Sequence, residues 1–385
     1  MKLDTFFDTF AEQYQHYKRG DWCYEDGCVY RGLLLLDGVD PRGPWFGHLK
    51  RLVDSQVGYD GSLAGYDIEE FNIDNILSGR ALIALYARTG EEKYRLAADR
   101  LAEQLGRHPR IGRGNYWHKL RYPHQVWLDG LYMGLPFQIE YGKAFGKPEL
   151  VDDAIVQLKS ALELLADPAT GLYSHGYDEA REQRWADKRT GRSQALWSRA
   201  LGWLAMALVD VHEAIGPKLA AQAGLDEAIE VFAKRVARHQ REDGRWNQVT
   251  DQPELEGNYP ESSATAMFAY FFLVGERLGI SGVDGEIGLK ALAGLREHAL
   301  AVGPDGEPVL GAICHVAGLG GFDGRYRDGT AAYYVSERLQ PNDAKGVGPF
   351  MMAVAEARRR ERLGEASATE NAGFPASARA GAPRG

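Results

Sequence analysis

Cysteine is scarce in this chain of 385 residues: there are three, Cys23, Cys28 and Cys314, with neither a C-x-x-C pair nor zinc-type spacing. That argues against a disulfide framework or a structural zinc, and Cys23 and Cys28 are expected to be reduced thiols. Basic charge is also short. The 45 Lys and Arg stand against 54 Asp and Glu, a net charge of −9, whereas nucleic-acid binding normally shows a basic footprint. Any anionic ligand must therefore be met by a local cluster of Arg or His. No apolar run approaches the ~18 residues of a membrane span, and Met1-Lys2-Leu3-Asp4-Thr5 carries an acid where a signal peptide has a basic and then an apolar stretch. The expectation is a soluble, cytoplasmic protein without nucleic-acid or membrane partners. Strand-like alternation is sparse, and no glycine-rich strand-to-helix phosphate loop occurs. No two histidines stand at i, i+4 with a Glu between, which argues against a metallopeptidase-like zinc site, and no residue set suggests another metal or an organic cofactor.

What the chain does have is helical rhythm, and 44% hydrophobic residues to build a core. Apolar residues at Ile73, Ile76, Leu77, Ala81, Ala84 and Leu85 follow the i, i+3, i+4 spacing of a helix with one buried face. Thr89-Gly90 stops the run, and Tyr94, Ala97, Ala98, Leu101 and Leu105 restart it, which makes Gly90 the turn of a helical hairpin. Similar turns fall at Gly146, Gly216 and Gly279. One hairpin roughly every 60 residues gives about six hairpins, either an open solenoid or a closed all-α (α/α)6 barrel. Closure removes the two ends that a solenoid must cap. The aromatic inter-hairpin segments Tyr116 to Tyr132, Tyr173 to Trp203 and Trp246 to Glu261 favour the barrel, because a ring brings one set of loops to one mouth. After Leu363 the chain turns to Gly, Ala, Ser and Pro, so we expect a single barrel domain over residues 1–363 and a disordered tail over 364–385.

The segment from Tyr116 to Met133 mixes aromatics, two histidines and two cations with one acid, Asp129. A core element would be more apolar and a solvated loop would hold fewer rings, so the mixture fits the wall of a site for a polar, ring-shaped ligand. Asp74 opens a helix, and the helix signal alone favours a cap worth about 1 kcal/mol. The same position points an acid toward the mouth that holds Asp129, and two carboxylates near one ring-binding mouth suit acid/base sugar chemistry. Trp117, Trp127, Trp185, Trp197 and Trp203 have flat faces suited to a sugar, although each one singly is more readily core. His118, His124 and His175 are structural or donate to ligand oxygens. Arg199 shares a helix face with Trp203 at i+4. It either pairs with an Asp on a neighbouring hairpin or holds an anionic sugar through its planar fork.

Taken in order, these stretches resemble a known family. Tyr122-Pro123-His124-Gln125-Val126-Trp127-Leu128-Asp129-Gly130-Leu131-Tyr132-Met133, His175-Gly176-Tyr177-Asp178-Glu179 and Trp197-Ser198-Arg199-Ala200-Leu201-Gly202-Trp203 are similar to the unsaturated rhamnogalacturonyl hydrolases of glycoside hydrolase family 105. The similarity continues through Glu261-Ser262-Ser263-Ala264-Thr265-Ala266-Met267, Val316-Ala317-Gly318-Leu319-Gly320-Gly321, Tyr326-Arg327-Asp328-Gly329-Thr330 and Lys345-Gly346-Val347-Gly348-Pro349-Phe350. The resemblance implies an (α/α)6 barrel that removes a 4,5-unsaturated uronic acid from the non-reducing end of lyase-generated oligosaccharides, with rhamnogalacturonan as the first expectation. It also implies Asp129 as general acid/base, Asp74 as the second acid, and His118, Trp127, His175, Arg199 and Trp203 as substrate-binding positions. Ser198 stands where the family pattern has Gly, and His315 where it has a small residue, which bears on subsite shape.

The implied reaction hydrates an enol ether. Asp129 protonates C4, water deprotonated by the same carboxylate adds at C5, and the hemiketal opens. One acid suffices where an ordinary glycosidase needs two, and a negative Asp74 would help Asp129 to hold its proton. The alternatives are an unsaturated glucuronyl hydrolase acting on glycosaminoglycan, ulvan or gellan fragments, a sugar epimerase using paired histidines, and a noncatalytic helical scaffold. The protein is expected as a monomer or homodimer.

Overall fold

The computed structural model describes residues 2–304 and 306–372, with backbone only for 365–372. Its helices are α1 (Leu3–Gln13), α2 (Tyr24–Val39), α3 (Trp45–Asp54), α4 (Gly79–Thr89), α5 (Glu92–Arg107), α6 (Leu128–Ala144) and α7 (Pro148–Leu165). They continue as α8 (Ser198–Ile215), α9 (Pro217–Ala223), α10 (Leu225–Ala237), α11 (Ser262–Arg277), α12 (Gly285–His298), α13 (Ala331–Val335) and α14 (Ala344–Ala372). Helices α2, α4, α6, α8, α11 and α14 form an inner ring. Those of the ring that lack a polar stripe are buried on nearly every side, as α8 is from Ser198 to His212 and α11 from Ser262 to Gly275. The outer helices α3, α5, α7, α10 and α12 are amphipathic and bury one face each. The first helix completes the outer ring: Phe6 and Phe7 of α1 meet Phe350 of α14 at ring-centroid distances of 6.5 and 5.3 Å.

The ring closes where α14 lies against α2. A Cβ on Gly348 would collide with the Cys28 carbonyl, and one on Gly32 with the Gly348 carbonyl and Met351. Two glycines therefore let these backbones approach. The helices form the (α/α)6 barrel that the aromatic inter-hairpin segments favoured over an open solenoid, and the hairpin glycines adopt the left-handed φ that such turns require: +70° at Gly90, +68° at Gly146, +83° at Gly216 and +74° at Gly279.

Two local expectations differ from the structure. The helix expected from Ile73 starts as a 3-10 turn, Ile73–Ile76, and the α-helix begins only at Gly79. Asp74 does not cap it. Asn72 does, its side-chain oxygen accepting from the Asp74 N–H at 3.2 Å. At the other end α14 continues through Ala372, and residues 373–385, the remainder of the segment expected to be a disordered tail, lie outside the described residues. Among the described residues no helix is long and apolar enough to cross a membrane.

Candidate active site

All six inner helices begin at the same end of the barrel, so their N-terminal residues gather around one mouth. Short antiparallel strand pairs between the hairpins set the side chains there. Strand β1 (Gln125–Trp127) runs directly into α6 and pairs with β2 (Gly176–Asp178), Trp127 opposite Gly176. The Leu128 N–H donates to the His175 carbonyl at 2.9 Å. This register brings Asp129, in the first turn of α6, against His175.

The His175 Nε2 lies 3.1 Å from Asp129 Oδ2, with the Asp129 side chain 14% exposed and His175 fully buried. The contact is close but poorly directed. Neither atom has a well-aligned hydrogen bond among the described residues, though both are buried. Catalytic hydrogen bonds often align only once substrate is bound. On its other side His175 Nδ1 is 2.7 Å from the Tyr334 hydroxyl. Trp127 and Trp197 box the imidazole at 5.2 and 4.9 Å between centroids.

Asp74 faces a different partner. Lys119 Nζ donates to its Oδ2 at 2.6 Å, with the Asp74 side chain 8% exposed, and His118 Nε2 is 3.7 Å from its Oδ1. A backbone bridge between Asn72 and Lys119 and a bond from Ile73 N to the His118 carbonyl hold the two segments together. Burial raises the Asp74 carboxyl, but the Lys119 charge and hydrogen bond outweigh it and hold the group below the usual carboxylate range. Burial pushes His118 down to about 3 despite the attraction of Asp74. The ring is therefore neutral at ordinary pH, and Lys119 is the cation that keeps Asp74 ionised. His118 also feels the Asp129 charge, so it stands between the two acids. Its ring stacks on Trp127 at 4.1 Å and 18°.

Arg199, in the first turn of α8, is buried rather than open to the mouth. Its Nη1 donates to the Cys314 carbonyl and, at 3.3 Å, to Ser263 Oγ; Glu261 Oε1 is 3.9 Å away. The ring beneath its guanidinium is Trp197, at 4.8 Å, and not the Trp203 expected from i+4 spacing. Trp203 instead stacks on Tyr132 at 5.5 Å and 23°. The acidic partner foreseen as one alternative exists, but it is a Glu, on the next hairpin. Of the eight tryptophans only Trp117 escapes full burial. Trp127, Trp185, Trp197 and Trp203 thus build the wall of the site more than its surface. His124 sits on the rim with φ +62°, its ring 4.6 Å from that of Trp117.

Lys119, Glu261 and Tyr334 were not singled out from the sequence. Lys119 and Glu261 fall inside stretches already quoted, and a cation beside His118 was a usable signal. Tyr334 lies beyond the last Gly-Thr motif and gave none. The two departures from the family pattern also find places. The Ser198 hydroxyl lies 2.7 Å from that of Thr250 and donates to the Asn247 carbonyl, tying the start of α8 to its neighbour loop. His315 Nδ1 is 3.1 Å from both Asp343 Oδ2 and the Tyr17 hydroxyl. Beside the Asp74–Lys119 pair opens a cavity of about 400 Å³ lined by Lys18, Glu70, Asn72, Lys119, Leu120 and Arg121, three cations against one acid.

A helical barrel with this mouth is a glycoside hydrolase architecture. The sequence profile of glycosyl hydrolase family 88 matches residues 3–361. A solved glycoside hydrolase from family 105 of C. acetobutylicum ATCC 824 is 36% identical, covers 92% of this chain and 99% of its own, and superposes with a TM-score of 0.87. The chain belongs to this family of glycoside hydrolases, in its family 105 branch. Protein Atu3128 of Agrobacterium fabrum is 52% identical over 229 residues, 58% of this chain and 97% of that protein. The unsaturated rhamnogalacturonyl hydrolase YesR of Bacillus subtilis is 26% identical over 254 residues, 64% of this chain and 69% of YesR.

Proposed function

We propose that the protein removes a 4,5-unsaturated uronic acid from the non-reducing end of lyase-generated oligosaccharides, rhamnogalacturonan fragments first among them, by hydrating the C4=C5 bond. The observation that carries this reading is the pairing at the mouth: Asp129 has a buried, poorly satisfied oxygen beside His175, while Asp74 is kept ionised by Lys119. One carboxyl is free to trade a proton and the other holds a fixed charge.

Asp129 gives its proton to C4, and positive charge develops at C5 and the ring oxygen. Water loses a proton to the same carboxylate and adds at C5. The hemiketal at C5 then opens, the C1 oxygen leaves with the rest of the oligosaccharide, and Asp129 has its proton back. The ionised Asp74 supports the developing positive charge. His118 and Trp127 form a stacked wall for the sugar, Trp203 supports the floor through Tyr132, and His175 orients Asp129. Arg199, with Lys119 and the cationic cavity beside it, supplies positive potential for the uronate carboxylate, as do the convergent helix N-termini. The similarity to YesR, an unsaturated rhamnogalacturonyl hydrolase, supports rhamnose as the neighbouring sugar.

The test is loss of the ultraviolet absorbance of the conjugated enol-ether acid when the protein is mixed with unsaturated rhamnogalacturonan, chondroitin or ulvan disaccharides. Loss with the first alone is expected. Loss with a glycosaminoglycan disaccharide instead would move the substrate to the glucuronyl series, and no loss with any would overturn the reaction.

A further inference from the structure

Tyr334 is fully buried on the short helix α13, and its ring stacks on Trp197 at 13° and 5.5 Å. Trp197 Nε1 donates to Gln248 Oε1 at 3.1 Å, and Gln248 Nε2 donates to the Tyr334 backbone carbonyl at 3.0 Å. The ring is thus fixed by a plane below and an amide bracket beside it. Its hydroxyl points at His175 Nδ1, 2.7 Å away. Burial, with Tyr333 and Asp129 nearby, pushes the phenol well above its ordinary range, so it remains O–H at every working pH.

A buried O–H needs an acceptor, and a neutral imidazole has one nitrogen that accepts and one that donates. When the Tyr334 hydroxyl donates to Nδ1, the imidazole proton must sit on Nε2, the nitrogen that faces Asp129 Oδ2. This has a consequence for the acid. With Nε2–H only 3.1 Å from Oδ2, a proton on Oδ2 would oppose another donor, so the proton of Asp129 is confined to Oδ1. In the other tautomer a bare Nε2 would draw that proton onto Oδ2 and hold it in a hydrogen bond away from the substrate.

Resting on the proposed reaction, we infer that Tyr334 is a positioning residue, which locks His175 as the Nε2–H tautomer so that Asp129 presents its proton on Oδ1 and is met by a donor when it becomes a carboxylate. No proton leaves the enzyme through this pair; it decides only which oxygen of Asp129 carries the one that is transferred.

Tyr334→Phe keeps the ring that stacks on Trp197 and removes only the hydroxyl. Nitrogen-15 spectra of histidine-labelled protein read the tautomer directly, and steady-state kinetics read its effect. The wild type should show a protonated Nε2 and an unprotonated Nδ1 on His175. In Tyr334→Phe the two tautomers should mix, with kcat lower on the order of tenfold and KM within about twofold, since orientation of an acid acts on the chemical step. A wild-type His175 protonated on Nδ1 would overturn the inference. So would a variant in which only one of the two readouts moves, or neither. If Tyr334→Phe does not fold, the wild-type tautomer alone decides. A wild type inactive on every unsaturated substrate would overturn the proposed reaction, and the spectrum would still decide the Tyr334–His175 contact.

Discussion

Replacing Lys119 by Met keeps the length of the side chain and removes the charge that lies 2.6 Å from Asp74. The Asp74 carboxylate would then be left almost completely buried, with one neutral imidazole edge at 3.7 Å. Removing one member of a buried ion pair costs about 3–5 kcal/mol, because the remaining charge has no compensation for lost water. Taking about 2.1 cal/mol/K per residue over the chain, the unfolding entropy is roughly 0.8 kcal/mol/K, so Tm should fall by roughly 4–6 °C. The pH dependence is the sharper signature. In the wild type the lowered carboxyl contributes stability above the unfolded-chain value of about 3.9 and loses it as pH falls through its native value. Without Lys119 burial keeps only the weaker opposition of His118 and Lys18, so the native carboxyl should rise above the unfolded one and the variant should lose stability as pH increases. Calorimetric scans of both proteins should therefore show a Tm gap that is wide near pH 8 and shrinks toward about pH 5 as Asp74 takes up a proton. A gap that stays constant across that range would refute the argument that Lys119 keeps Asp74 ionised.

Four further outcomes are expected. Asp129→Asn should lower kcat by about 10²–10⁴-fold with Tm little changed; near-wild-type turnover would remove Asp129 from the chemistry. Arg199→Ala should raise KM for the unsaturated uronide and leave Glu261 without its cation; unchanged KM and kcat would reject its part in binding. Gly348→Ala puts a methyl group against the Cys28 carbonyl and should cost about 1–3 kcal/mol in a denaturant titration, whereas an unaltered midpoint would contradict the tight seam between α14 and α2. Burial holds His108 at about 4 and His118 at about 3. The unfolded chain protonates both near pH 6.5, so stability should fall as pH drops from about 6.5 toward 4. His108→Gln should flatten that slope; equal slopes in the two proteins would count against a neutral, buried His108.

The hairpins were legible because their turns need a left-handed residue, and Gly90, Gly146, Gly216 and Gly279 supply it at a regular interval. Asp129 was legible because one acid among many rings is conspicuous. The errors fall where a residue's role depends on a distant partner. Asp74 carries the local signature of a cap, but Asn72 takes that position and Lys119, across a bridge, takes the carboxylate. Arg199 and Trp203 share a helix face, yet the guanidinium turns toward Cys314 and Glu261 on other loops and rests over Trp197. Tyr334 reaches His175 across 159 positions of chain, and no periodicity encodes such a contact.

Closure of the ring between α2 and α14 also has a meaning for synthesis. The first inner helix, α2, emerges before the other five of the ring, and its final neighbour, α14, emerges after them all. During translation the earlier hairpins can stack on one another, while the flank of α2 that will meet Gly348 and Met351 waits uncovered. Such long-range contacts form late and leave apolar surface open meanwhile. A nascent barrel is thus a crescent with a sticky edge until α14 emerges. The interval between the emergence of Cys28 and that of Phe350 is when a chaperone matters most to it.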